Sequence, residues 1–309
     1  RHSFPTRRSS DLALVHREGA AVQMGGGLAA LLLRLGRLPQ CYTRSALIAG
    51  VAAGFASIFG TPLAGAMFSL EAPCSVDIQL REIPVALIAA FTGNFICQKW
   101  GATHATYLIP ALNGGELLSF KMLTAVLFAS VLFGWTGRLF ILLQKNLKTA
   151  YQRLSSAWWV PPVLGGSILM SASQSPQLID YLGLSTWSNR PEAVTLASAF
   201  VPAGATDLSW FHKLWLTTLS LASGFKGGEV TPMFFVGSTL GNAFATHLHL
   251  STPLFAALGF VAVFTGAAHT PWTGTLIAME LFGVGFTPLF APVCWLAHWA
   301  CGKYSLYHE

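Results

Sequence analysis

Two glutamates, Glu18 and Glu229, each stand among glycines at the predicted start of an apolar helix. The first lies in His16-Arg17-Glu18-Gly19-Ala20, ahead of Gly25-Gly26-Gly27 and an apolar run. The second lies in Lys226-Gly227-Gly228-Glu229-Val230-Thr231-Pro232. Pro232 suits a first helical turn, and glycines before it let the backbone approach a ligand closely. A helix N-terminus presents free N–H groups and a partial positive charge. Two such ends aimed at one point can hold an anion without a bare cation, loosely enough to release it. A carboxylate at such a place can simply cap its helix, which contributes under ~1 kcal/mol at an exposed site. It can instead occupy the anion's own position, withdraw when protonated, and so both gate a path and carry a proton. Within a membrane the second duty is expected, because an ionisable residue costs roughly 2.5 kcal/mol or more at the bilayer centre.

Other chemistry finds no support. There is no HExxH, no Gly-x-Ser-x-Gly and no P-loop. The cysteines (Cys41, Cys74, Cys97, Cys294 and Cys301) form no CxxC pair and stand at no metal-ligand spacing with histidine. His247 and His249 are two apart and do not share a helix face. No metal, no cofactor and no enzymatic activity are expected.

The elements that must position the two glutamates are membrane helices. The 309 residues are 53% hydrophobic and 10% charged, with mean hydropathy +0.56; soluble chains carry roughly 25% charged residues. The stretches 46–59, 83–98, 122–137 and 214–225 lack charge, and 230–279 holds none and is too long for one helix. About ten membrane helices are expected, some broken or not fully spanning. The net charge of +6 is scattered, with no basic stripe, which speaks against nucleic acid as a partner. Arg34, Arg37 and Arg44 flank one polar link and Arg138, Lys145, Lys148 and Arg153 another, as at cytoplasmic ends. Residues 1–12, RHSFPTRRSSDL, lack the apolar core of a targeting peptide and resemble linker or adapter sequence. The transmembrane domain is placed at 13–309 and is expected to be incomplete at both ends.

The chain nearly repeats itself. Thr61-Pro62-Leu63-Ala64-Gly65 runs on to Glu71, and Thr270-Pro271-Trp272-Thr273-Gly274 runs on to Glu280. Upstream, the run from Glu18 to Gly25 parallels the run from Val230 to Gly237. The offsets are 209 residues (Thr61 to Thr270) and 212 (Gly25 to Gly237). Duplicated halves with broken helices place a transport site at the repeat interface. Glu71 and Glu280 are expected to be structural, closing helix or loop hydrogen bonds.

These residues resemble the CLC family of chloride channels and anion/proton antiporters. The segment around Glu18 is similar to the family's Gly-Arg-Glu-Gly-Pro, whose glutamate is the external gate. The segment from Gly228 to Pro232 is similar to its Gly-x-Phe-x-Pro. Tyr307 resembles the tyrosine that coordinates the central anion. The resemblance implies an all-α, multi-spanning inverted repeat with broken helices, working as a homodimer in a lipid bilayer. It implies gating and proton-transfer roles for Glu18 and Glu229. It implies an anion site from Arg17, Gly19, Gly228, Val230, Thr231 and Tyr307, with a halide (fluoride or chloride) and protons as partners. Apolar faces at 83–95 and 276–290 are candidate dimer contacts, and a bacterial plasma membrane is the expected location.

Departures from the pattern refine this. His16 and Ala20 replace Gly and Pro, and Val230 replaces the chloride members' Phe. Gly-Gly-Glu-Val-Thr-Pro resembles the fluoride/proton antiporter subclass, and Ala72 stands where chloride/proton exchangers often carry an internal proton-transfer Glu. Fluoride is strongly hydrated and needs strong donors to replace its water. The Thr231 hydroxyl, backbone N–H groups and Glu229 in its acid form would supply them. Fluoride/proton antiport is therefore the expected function. A chloride channel or chloride/proton exchanger of the same family, and a non-transporting membrane subunit, stand as alternatives.

Overall fold

The computed structural model describes residues 17–37, 39–72, 79–104, 107, 109, 119–155, 157–183, 185, 186, 190, 192–225 and 227–307, with side chains from residue 20 onward. Its architecture is all-α. The first group of helices is α1 (Arg17–Leu35), α2 (Thr43–Phe59), α3 (Pro62–Glu71) and α4 (Ile83–Lys99). A connecting group follows: α5 (Phe120–Leu154), α6 (Val160–Ser173) and α7 (Ser209–Ala222). The last group is α8 (Val230–Leu248), α9 (Thr252–Ala268), α10 (Pro271–Phe282) and α11 (Thr287–Cys301).

The first and last groups are the sequence repeat made visible. α1 packs on α2 as α8 packs on α9; α2 touches α3 and α4 as α9 touches α10 and α11. Both helix pairs cross on glycines. A Cβ at Gly25 would lie 2.1 Å from the Gly50 carbonyl oxygen, and one at Gly237 would lie 2.0 Å from that of Gly259. No side chain fits at either crossing, so the backbones meet directly. Both short helices begin with proline after Thr61 or Thr270, where the missing N–H costs nothing.

The relation between the halves is inverted, and two carboxylates establish it. Glu71, at the end of α3, accepts from the backbone N–H of Trp272 (3.1 Å) and Thr273 (2.8 Å) at the start of α10, and from the Thr273 hydroxyl (2.7 Å). Glu280, near the end of α10, accepts from the N–H of Leu63 (2.8 Å) and Ala64 (2.9 Å) at the start of α3. The end of each helix thus meets the start of the other, so the pair is antiparallel. Each acid fills the orphan donors of the opposite N-terminus. The expected structural role of Glu71 and Glu280 takes this form.

The uncharged stretch 230–279 is divided twice. α8 ends at His249 (φ 52) and α9 at His269 (φ 58), both left-handed. The equivalent turn in the first half uses Gly60 (φ 70). Left-handed caps usually fall to glycine, which is why composition alone does not mark the two histidine breaks. α9 is buried along its length except for Pro253, the mark of a central helix in a large core.

Among the described residues, four segments are long and apolar enough to cross a membrane: Gln40–Phe59, Leu80–Lys99, Phe120–Leu154 and Val284–Cys301. α5 has 35 residues and at 1.5 Å per residue is about 50 Å long. That exceeds a hydrocarbon core of about 30 Å, so the helix must tilt or project. The outward faces carry large apolar side chains, among them Leu28 and Leu32 on α1, Ile88 and Phe95 on α4, and Phe128 on α5. Lipid as solvent accommodates such a surface.

Candidate functional site

The second glutamate lies where sequence placed it. Glu229 is the residue before α8, and Gly228 and Val230 on either side are buried. Its carboxylate makes no capping bond to its own helix. Instead, Oε1 accepts from Nε2 of Gln144 on α5 at 3.0 Å. The acid is therefore held across the fold by an amide, and the simple capping role does not apply. Gln144 escaped the sequence reading. The signal available was an amide following the apolar run Leu139-Phe140-Ile141-Leu142-Leu143, inside a helix of membrane length.

The first turn of α8 leaves the N–H groups of Val230 and Thr231 without intrahelical acceptors, and Pro232 has none to offer. Thr231 is 3% exposed, and its Oγ1 is buried with no hydrogen-bond partner among the described residues. An orphaned buried hydroxyl calls for a ligand or water to satisfy it. The side chain lines a cavity of about 130 Å³, whose wall also includes Thr186, His104, Tyr107, Phe234 and Phe260. Phe234 stacks on Phe260 with centroids 3.9 Å apart, and Tyr107 lies 5.7 Å from Phe260. His104 Nε2 is 2.9 Å from the Ser57 carbonyl oxygen at the end of α2. A small anion would meet hydroxyl donors and the positive edges of aromatic rings in this space.

Tyr307 follows α11. Its ring packs edge-on against Phe68 of α3 with centroids 6.0 Å apart. The backbone is pinned just before it, where the Leu306 N–H donates to the Ala267 carbonyl at 3.0 Å. From Phe68 the aromatic contacts continue to Phe264 and on to Phe234 at the cavity wall. Tyr307 is thus joined through these rings to the cavity that Thr231 lines, and Glu229 directly precedes Val230 and Thr231 in the chain.

Arg17, Glu18 and Gly19 form the first turn of α1, and α1 touches α8. The two Gly-rich helix starts therefore belong to helices in contact. The side chains of Arg17 and Glu18 lie outside the described residues, as do His16, Lys226 and the whole of 1–12. Among the described residues no group of His, Cys, Asp and Glu could hold a metal ion.

An inverted repeat of broken, apolar helices, with an acid and an orphaned hydroxyl at one break, defines a multi-helix membrane protein. The chain belongs to the voltage gated chloride channel family, the CLC proteins, whose pattern it matches over residues 13–302. It is 39% identical over 296 residues to a "Chloride/fluoride channel protein" of Pseudomonas syringae pv. tomato, covering 96% of this chain and 64% of that protein. It is 28% identical over 282 residues to the "H(+)/Cl(-) exchange transporter ClcA" of Vibrio cholerae, covering 86% of this chain and 58% of that one. A crystal structure of a CLC-type fluoride/proton antiporter superimposes with a TM-score of 0.86 at 32% identity, covering 96% of this chain and 72% of the other. The chain thus spans less than two thirds of these two relatives' length.

Proposed function

We propose that the protein moves a small halide across a bacterial plasma membrane in exchange for protons, and that the halide is fluoride. The observation that carries this reading is the orphaned Thr231 hydroxyl in the first turn of α8, directly after Glu229. A hydroxyl and free backbone N–H groups suit an ion whose dehydration demands strong donors. Two relatives, one a chloride/fluoride channel and one a fluoride/proton antiporter, support the same choice.

In this reading Gly19, Gly228, Val230 and Thr231 offer backbone or hydroxyl donors, Tyr307 adds a second hydroxyl, and Arg17 draws the anion in. Glu18 gates the outer side and carries the proton. Glu229 is the second acid, held by Gln144 between turns. Two copies pair through the faces at 83–95 and 276–290; on the first, Ile88 and Phe95 are 69% and 59% exposed.

The test is halide-driven proton movement in liposomes containing the protein. A fluoride gradient should drive proton uptake and a chloride gradient much less. Equal rates for the two anions would overturn the fluoride assignment, and halide flux without proton movement would leave a channel. No flux of either anion would leave a non-transporting subunit.

A further inference from the structure

The cavity wall contains a residue whose placement is more constrained than its exposed position requires. Thr186 lines the mouth of the cavity, with Thr231 at its buried side. The residue before it, Ser185, adopts φ 53, a left-handed conformation that a non-glycine residue holds only under constraint. Three bonds supply the constraint. Ser185 Oγ donates to the Asp180 carbonyl at 2.7 Å and accepts from Lys213 Nζ at 2.9 Å, and the Ser185 carbonyl accepts from the Leu196 N–H at 2.8 Å. Leu196 also lines the cavity. Lys213 itself is 1% exposed on α7. It donates to the carbonyls of Tyr181 and Gly183 and lies 5.4 Å from the Phe235 ring of α8. A buried lysine is costly, and here it fastens Tyr181, Gly183 and Ser185 to the helix that carries Thr231.

We propose that Thr186 is a binding residue for the halide at the cavity mouth, and that Ser185, fastened by Lys213, is the positioning residue that holds it there. This rests on the reading of the cavity as the anion's site. An entering ion would exchange water for the Thr186 hydroxyl before reaching Thr231, a stepwise dehydration that keeps each site weak enough to leave.

The experiment titrates sodium fluoride and sodium chloride into the detergent-solubilised protein by calorimetry. Thr186→Val should weaken halide binding about two- to tenfold, the worth of one hydrogen bond, while Thr186→Ser restores it. Ser185→Ala should weaken binding similarly, and the double variant Ser185→Ala/Thr186→Val should be no worse than Thr186→Val alone, because the serine acts through the threonine. Ser185→Ala keeps Lys213 and avoids the folding risk of removing a buried cation. Unchanged binding in Thr186→Val, or additive losses in the double variant, would overturn the proposal. Thr231→Val separates the two readings. If it weakens binding and Thr186→Val does not, only the role of Thr186 and Ser185 falls. If neither variant changes binding, or the wild type binds no halide, the cavity is not the anion's site and both readings fall.

Discussion

Glu71 and Glu280 cap each other's helices across the two halves of the fold, 2.7–3.1 Å from their donors. The two acids occupy equivalent repeat positions, but the clasp is asymmetric. Glu71 gains the Thr273 hydroxyl as a third donor, and Ala64, the counterpart of Thr273, has no hydroxyl to give.

That asymmetry sets an order of stabilities. Glu71→Gln should destabilise the protein by about 1.5–3 kcal/mol, the range for hydrogen bonds to a charged group, and Glu280→Gln by less. Thermal unfolding in detergent, followed by near-UV circular dichroism, reads the difference. Equal midpoints for the two variants would contradict the three-against-two count of donors.

The glycine crossings make a second prediction. Gly237→Ala and Gly25→Ala each force a methyl into a facing carbonyl, and overpacking of this kind costs about 1–3 kcal/mol. Gly27→Ala is the control, since a Cβ there meets nothing within 4 Å. The same melting experiment should rank Gly27→Ala at or above wild type.

Glu229 and Gln144 should be linked in function. Gln144→Leu removes the amide that holds the acid, so proton movement per halide should fall in liposomes, as it should in Glu229→Gln. The double variant should resemble Glu229→Gln alone. A Gln144→Leu protein with wild-type coupling would show that this hydrogen bond is incidental to transport.

For the first helix break, Glu18→Gln should abolish proton coupling while halide still moves. The readout is proton uptake against halide flux at matched gradients. Intact coupling in this variant would remove Glu18 from the proton path.

Much of the fold was legible in the sequence because duplication leaves matched landmarks. Thr61-Pro62 and Thr270-Pro271, with Glu71 and Glu280 nine residues after each proline, marked two equivalent short helices before any contact was known. Thr270-Pro271 also marked the break at His269, but the break at His249 was not legible, because left-handed caps usually fall to glycine and histidine carries no turn signature there. Of the site, Glu229 and Thr231 stood out through their glycine-rich setting. Gln144 and Thr186 did not: Gln144 matters through Glu229, just ahead of α8, and Thr186 through its neighbour Ser185, which Lys213 of α7 holds. Such long-range partnerships have no local pattern.

The paired glycine crossings also have a mechanical consequence. Where Gly25 meets Gly50, and Gly237 meets Gly259, the contact is backbone on backbone. There are no rotamers at those points to absorb a change in spacing. Each helix pair must therefore move as a single stiff strut, and any gating motion at the cavity falls to side chains and loops mounted between two struts of fixed gauge.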